Sequence, residues 1–404
     1  MTNETDIYFK KLIPFKHYRK ELQFRASQAL FSSHQVDLGS RFLLRTLGDS
    51  NPEKVRKILD LGCGYGPIGL TLKKMDFMRT VHLVDRDALA VEYTRQNAKL
   101  NKLSNAVVYG SLGYDAVTER DFDLIVSNIP GKAGERAIHY MLGEAFYYLK
   151  PDGFVAIVVV TPLAEMVEGY LHQINAGILL KEKGSEHTVF HYHFPEGGYV
   201  QQPPEQSSLE RGIYDRDKVR FPIGRRKFQL TTAKGLPEYD TASFDTQLLI
   251  KTIGNMKFNR GGNVLVINPG QGHVALSAWQ RVFAEKVVLA GRDALSLGYA
   301  ARNLVANGCD EARIIQYHDI GLASEGQRPF SLITNSIPKG EGQRVTAWLT
   351  RQAAGLLAED GILLVAGSST AVTRVEQIVR DEKLLTVQSR KKNKRRSILT
   401  LKKK

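Results

Sequence analysis

Leu59-Asp60-Leu61-Gly62-Cys63-Gly64-Tyr65-Gly66 is the stretch on which the reading of this chain turns. A short apolar run closes on three alternating glycines and then passes into helical spacing. That pattern is a strand turning into a helix, through backbone bare enough for something to lie against it. At an offset of 206 the plan returns as Leu265-Val266-Ile267-Asn268-Pro269-Gly270-Gln271-Gly272. The same offset places Asp85-Arg86-Asp87-Ala88-Leu89 on Gly291-Arg292-Asp293-Ala294-Leu295, and Tyr93, Asn97 and Asn101 on Tyr299, Asn303 and Asn307. A repeat this long is a whole domain rather than a solenoid unit, so the chain carries two copies of one domain.

The bulk composition agrees. A chain of 404 residues has room for two cores, and 43% hydrophobic with 24% charged residues is ordinary for globular protein. Residues 1–11 are polar, without the apolar run of a signal peptide, and no apolar stretch approaches the roughly 20 residues that span a bilayer. Cys63 and Cys309 fall in different copies, which argues against a stabilising disulfide and against a metal cluster. The expectation is a cytoplasmic monomer with no metal and no membrane partner. The net charge of +14 is uneven: residues 1–200 hold 24 Lys and Arg against 23 Asp and Glu, residues 201–404 hold 32 against 19. Nine cations and no acid lie between Arg390 and Lys404. A basic half on a neutral half points to a polyanion partner, nucleic acid first; a solvated, solubilising tail is the bland alternative.

Along the first copy the spacing predicts strands over 57–61, 81–84, 106–109, 123–127 and 154–160. It predicts helices over 67–74, 87–100, 135–149 and 163–174, and two last strands around Lys183-Gly184-Ser185. Alternating strands and helices predict an α/β fold, a mainly parallel seven-stranded sheet closed by an antiparallel hairpin. Domains are expected at 1–196 and 225–404, joined by a linker over 197–224 rich in Pro, Gly and Gln. Leu22-Gln23-Phe24 against Phe228-Gln229-Leu230 gives each core an N-terminal extension. The last hairpin should bring Lys391-Lys392-Asn393-Lys394-Arg395 to its tip, so that Arg390, Lys391, Lys392, Lys394, Arg395 and Arg396, with Arg225-Arg226-Lys227 as a second group, contact phosphates.

In the first copy Asp60 precedes the glycines, and Asp85 ends the next strand, where a carboxylate can accept both hydroxyls of a ribose. Motif and spacing resemble the class I S-adenosylmethionine-dependent methyltransferases, a Rossmann-like fold; an NAD enzyme is the competing reading. The resemblance implies cofactor contacts from Asp60, Gly62, Cys63, Gly64, Gly66, Asp85, Arg86, Ser111, Leu112 and Asn128, with Ser111-Leu112 near the adenine. In the second copy Asp60, Gly62 and Asp85 have become Val266, Asn268 and Gly291, which predicts a copy that binds no cofactor.

Ser127-Asn128-Ile129-Pro130-Gly131 follows the fourth strand. In methyltransferases acting on exocyclic or amide nitrogens the corresponding motif is Asn/Asp-Pro-Pro and an aromatic. There an Asn carbonyl and the next backbone carbonyl accept the amine's two N–H groups and localise its lone pair. Asn128, Ile129 and Pro130 are the candidate catalytic residues; Ile129 replaces the first proline and Gly131 the stacking aromatic. Phe31-Ser32, Val36-Asp37-Leu38-Gly39-Ser40 and Leu43-Leu44 resemble the segment before the core in the tandem-domain ribosomal RNA guanine-N2 methyltransferases of the small-subunit type. That resemblance implies a 16S-type ribosomal RNA or small-subunit substrate. In the best-known members the C-terminal copy is active; here the intact motif is N-terminal. Methylation of a protein amide or a DNA adenine stays open, as does an inactive RNA-binding assembly factor.

Overall fold

A computed structural model describes residues 6–49, 55–195, 201–223, 226–258, 261–322 and 329–403. The chain divides into a leading unit, Phe9–Tyr214, and a trailing unit that joins Met1–Tyr8 to Asp215–Lys404. This differs from the expected boundaries: residues 201–214 belong to the leading unit, and Asp215–Ile223, expected to be linker, is a strand. Glu196-Gly197-Gly198 and Arg225 lie outside the described residues.

The leading unit opens with a hairpin of β1 (Phe9–His17) and β2 (Lys20–Ser27), then α1 (Leu38–Asp49). Its core runs β3 (Lys57–Leu61), α2 (Pro67–Met75), β4 (Thr80–Asp85), α3 (Ala88–Leu100), β5 (Ala106–Gly110), β6 (Phe122–Asn128) and α4 (Glu135–Gly143). It closes with β7 (Leu149–Val160), α5 (Ala164–Gln173), β8 (Gly177–Lys183) and β9 (His187–His193). The sheet order is β5-β4-β3-β6-β7-β9-β8, parallel except for β9, which runs antiparallel to both its neighbours. The strand order reverses beside β3, so the loops after β3, β4 and β6 open one crevice at the strands' C-terminal ends, the place where such sheets bind ligands. The helix expected over 135–149 is shorter. It ends at Gly143 and continues as a 3₁₀ turn, Glu144–Tyr147. Pro151-Asp152-Gly153, which follows the stretch read as helix, lies inside β7 at an irregularity: the register passes from Phe122↔Leu149 to Leu124↔Phe154.

The trailing unit repeats this with β10 (Asp215–Ile223), β11 (Arg226–Ala233), α6 (Phe244–Asn255), β12 (Asn263–Ile267), α7 (His273–Val282), β13 (Val287–Gly291) and α8 (Ala294–Ala306). There follow β14 (Ile314–His318), β15 (Phe330–Ser336), α9 (Gln343–Leu356), β16 (Leu357–Ser368), α10 (Ser369–Asp381), β17 (Thr386–Asn393) and β18 (Arg396–Lys402). Its order, β14-β13-β12-β15-β16-β18-β17, is the same.

The paired asparagines show why the copies fold alike. Asn97 on α3 accepts from Arg25 N (2.7 Å) and donates to Arg25 O (3.1 Å) and Tyr65 O (2.9 Å). Asn303 on α8 makes the same three bonds, to Thr231 N (2.8 Å), Thr231 O (3.0 Å) and Gln271 O (2.9 Å). Each side chain satisfies hairpin and loop backbone that burial would otherwise leave unpaired. Asn101 and Asn307 add a second rung, to Gln23 and Gln229.

Candidate functional site

The crevice is built first by the glycine turn. Gly62 and Gly64 have φ of +79° and +59°, and a Cβ on either would meet nothing within 4 Å. Gly66 is different: a Cβ there would lie 2.7 Å from Leu70, so packing at the start of α2 requires it. The first two glycines therefore expose bare backbone to open space. Cys63, between them, is tied to its neighbours. Its N–H bonds Val84 O at 2.9 Å and its buried thiol faces Thr94 at 3.7 Å.

Two carboxylates flank the turn. Asp60 is buried in β3; one oxygen accepts from Gly69 N at 2.7 Å, and Oδ1 has no partner in the protein. Burial pushes its carboxyl up to about 7, against the Gly69 bond and helped by the Asp85 charge. Asp85, at the end of β4, accepts from Gly64 N and from Asp87 N, both at 2.9 Å. Each oxygen keeps a further lone pair for a hydroxyl. Burial raises Asp85 to about 6, with both backbone bonds opposing. After β5, Ser111 N bonds Asp85 O at 3.0 Å, which brings Leu112 to this end of the crevice. The Ser111 hydroxyl is used internally, donating to Gly113 O and accepting from Ala116 N.

Asn128 ends β6. Its Nδ2 donates to Asp37 Oδ1 (3.0 Å) and to Ser40 Oγ (3.2 Å). A carboxylate accepts only, so Asp37 fixes which way the amide points and leaves the Asn128 carbonyl oxygen as the acceptor. Asp37 also accepts from Ser40 N at 3.0 Å at the start of α1, so the amide is held by a rigid element. Ile129 is anchored through its N–H to Val158 O (3.0 Å). Asp37 and Ser40 were not legible as site residues: the sequence set them apart only as part of a familiar segment, and their contact with Asn128 spans some 90 positions. The loop before them is tied down by Tyr65, whose hydroxyl donates to Ser32 O (3.3 Å) and Gln35 O (3.4 Å). Phe31, on this loop, is 76% exposed.

His191 and His193 are two positions apart on one face of β9. Among the described residues no cluster of metal-ligating side chains exists. His191 is buried against Thr46 at 3.0 Å, and burial drives it down to about 4.

In the trailing unit the turn after the first core strand carries a side chain where the leading one is bare. Asn268 takes φ +54° in place of Gly62, and its Oδ1 lies 3.6 Å from the point where a Cβ on Gly291 would stand. An amide thus lies beside the position of the missing carboxylate. Ile337 N bonds Ala366 O (2.9 Å) as Ile129 N bonds Val158 O, so Ser336 stands where Asn128 does. The two-residue shift from 206 to 208 arises before β14, where the trailing copy inserts a 3₁₀ turn, Glu311–Arg313.

The six basic candidates separate into two kinds. Arg390 pairs with Glu376 at 2.9 Å and bonds Ser369 O and Thr373 Oγ1, and Arg396 pairs with buried Asp245. Those two cations are committed to the fold, because β17 and β18 carry them back beside α10 and α6. Lys391, Lys392, Lys394 and Arg395 are exposed, and the hairpin turns at Lys394, with φ +52°.

Sequence comparison with known proteins falls on the leading half of the chain. The family model "Methyltransferase small domain" matches residues 21–182. The uncharacterised protein YbxB of Bacillus subtilis is 35% identical over 151 residues, 37% of this chain and 74% of its own length. The chain belongs to the methyltransferase small-domain family. It is thereby a class I S-adenosylmethionine-dependent methyltransferase. Ribosomal RNA small subunit methyltransferase C of Actinobacillus pleuropneumoniae is 36% identical over 149 residues, 36% of this chain and 44% of that protein; the chain thus spans under half the length of this relative. Over nearly the whole molecule the fold matches a T. thermophilus 16S rRNA methyltransferase, solved with AdoMet and guanosine, at a TM-score of 0.64. The identity is 16%, with 98% and 99% of the two chains covered. That likeness establishes the tandem fold.

Proposed function

We propose that the leading unit transfers the methyl group of S-adenosylmethionine to an exocyclic amine, guanine N2 of 16S-type ribosomal RNA. In this reading the trailing unit adds RNA-binding surface and no chemistry. The observation that carries the proposal is Asn128, locked by Asp37 and Ser40 with its carbonyl oxygen left to accept. An amine conjugated to a purine ring is a poor nucleophile. Two carbonyls, Asn128 Oδ1 and Ile129 O, accept its two N–H groups and turn the lone pair out of conjugation, so that positioning and electrostatics replace a strong base.

The residues fit the cofactor. When bound, it supplies a methyl group activated by a sulfonium. The unpartnered oxygen of Asp60 and the bare backbone of Gly62 and Gly64 suit its amino-acid end. Asp85 suits the ribose, and Arg86 with Ser111-Leu112 the adenine. Phe31 is assigned the stacking role left vacant at Gly131, since it is an exposed ring on a loop tied to Asn128 through Asp37. Lys391, Lys392, Lys394 and Arg395 are assigned phosphate contacts. The match to a ribosomal RNA small subunit methyltransferase and the guanosine in the T. thermophilus structure support guanine over other amines. A ribosomal substrate places the protein in the cytoplasm.

Nucleoside analysis of ribosomal RNA with and without the gene tests this: one N2-methylguanosine should disappear from the small subunit. Unchanged ribosomal nucleosides, with methyl transfer instead to a DNA or protein fraction, would move the substrate to an adenine or a protein amide. No transfer to any fraction by a protein that binds RNA would leave an assembly factor.

A further inference from the structure

Tyr8 and Tyr214 stand 206 residues apart, each in an Ile-Tyr pair immediately ahead of its copy's first hairpin: Ile7-Tyr8 before β1, Ile213-Tyr214 before β10. Yet Tyr8 belongs to the trailing unit and Tyr214 to the leading one. Each tyrosine packs in the copy that its own hairpin does not belong to.

The place where each packs is the same. Asp319 N bonds Gly291 O (3.2 Å) as Ser111 N bonds Asp85 O (3.0 Å), which makes Ile320 the counterpart of Leu112 and Arg292 that of Arg86. A Cβ on Gly321 would strike Trp348 at 2.8 Å, as one on Gly113 would strike Tyr140 at 2.5 Å, so Trp348 is the counterpart of Tyr140. Buried Tyr8 donates from its hydroxyl to Ile320 O (3.2 Å), lies under the Arg292 guanidinium (5.5 Å) and meets Trp348 edge-on (6.5 Å, 82°). Its three partners are therefore the trailing counterparts of the residues at the adenine end of the leading crevice. Buried Tyr214 meets Tyr140 edge-on in the same manner (6.3 Å, 72°). The segment before it is clamped to the leading unit: Ser208 bonds Asp115 twice (2.9 and 2.7 Å), and Arg211 pairs with Glu144 (2.7 Å) while lying over Tyr140 (5.4 Å).

We propose that the two tyrosines are exchanged clasps, each completing the nucleoside end of the copy its hairpin does not belong to. Tyr8 fills the trailing pocket with its own phenol, and Tyr214 forms an aromatic wall of the leading pocket against the adenine of the cofactor. The second half of this statement rests on the cofactor reading given above. A phenol in the trailing pocket offers what a planar base would: a ring for the cation and the edge of Trp348, and a donor for the Ile320 carbonyl.

Calorimetry on the full chain with S-adenosylmethionine tests the pair. Tyr214→Ala should weaken binding about tenfold, the scale of one lost aromatic contact to a base, with Tyr214→Phe restoring it. Tyr8→Ala should leave that affinity within about twofold while speeding amide exchange at residues 319–322. Equal affinity for Tyr214→Ala and the unmodified protein, or an equal loss for Tyr8→Ala, would overturn the assignment. If the unmodified protein binds no S-adenosylmethionine, the cofactor reading has failed on its own. The exchange of clasps is then judged by amide exchange: Tyr214→Ala must loosen residues 111–115 and Tyr8→Ala residues 319–322, and a pattern confined to each variant's own hairpin rejects it.

Discussion

The leading and trailing units differ in a pattern that sorts structural residues from ligand-binding ones without any outside alignment. Asn97 and Asn303, Asn101 and Asn307, and the tight glycines Gly66 and Gly272 persist in both, and each meets a demand of the fold: hairpin backbone to be satisfied, or a Cβ that would collide. Asp60, Gly62, Asp85 and Asn128 become Val266, Asn268, Gly291 and Ser336. None of those four is needed by the sheet, since the trailing sheet forms without them in the same order. A buried carboxylate with an unpartnered oxygen costs stability. Its retention in one copy and replacement by valine in the other is what a functional demand on one copy alone produces.

The comparison can be attacked at several points. The largest effect is expected from Asn128→Ala: methyl transfer should fall by roughly 10²–10³, the cost of one preorganised acceptor, while cofactor binding measured by calorimetry stays. A matched fall in both would make Asn128 a binding residue. Next, Asp85→Ala should weaken cofactor affinity by about 2–3 kcal/mol, as the loss of a charged acceptor for two hydroxyls does. The reverse change, Gly291→Asp, should confer no binding on the trailing unit, because Asn268 already lies against that position; a second binding site in the titration would refute the view that the trailing pocket is closed.

Asn97→Ala and Asn303→Ala should each lower stability by about 2–4 kcal/mol, through backbone groups left unpaired, and by similar amounts. Denaturant unfolding would detect it, and a large effect in one copy alone would show that these bonds are not equivalent.

A subtler effect comes from pH. Asp60 at about 7 and Asp85 at about 6 stand above the ordinary carboxylate value near 4. Between roughly pH 4 and 7 the native protein without cofactor holds protons that the unfolded chain has released, so its stability should fall as pH rises through that window. Cofactor affinity should move oppositely, weakening below about pH 6 as Asp85 loses its acceptor charge. Thermal melts and titrations across this range would check the opposed signs; parallel trends would contradict them. The smallest effect is reserved for the hairpin tip. Replacing Lys391, Lys392 and Lys394 by Gln should lower the slope of log affinity for RNA against log salt by about 1 per lost phosphate contact. An unchanged slope would remove the tip from the interface.

Much of the fold was legible because its signals are local. Strands 57–61 and 81–84 announced themselves by apolar runs ending in turn residues, and the repeat doubled every signal. The boundary near residue 197 was misplaced for a physical reason. Pro203, Pro204 and the serines after them read as a spacer, but Ser208 and Arg211 bind Asp115 and Glu144, far away in sequence. Arg390 and Arg396 looked like free cations because nothing local discloses Glu376 or Asp245. The motif likewise does not disclose that the Cys63 thiol faces Thr94, 31 positions away.

Sequence alone determined that this protein has two copies of one α/β domain and that the first copy kept the acidic and glycine positions of a methyl-donor pocket. Residue type and spacing fix those, since periodicity and backbone freedom are properties of neighbouring residues. Tertiary structure decided which groups hold Asn128, which of the basic side chains at the last hairpin are paired and which are exposed, and which unit each of Tyr8 and Tyr214 packs in. Each of these is a contact between residues tens to hundreds of positions apart, and a side chain's partner at that range is set by how the sheets and helices pack.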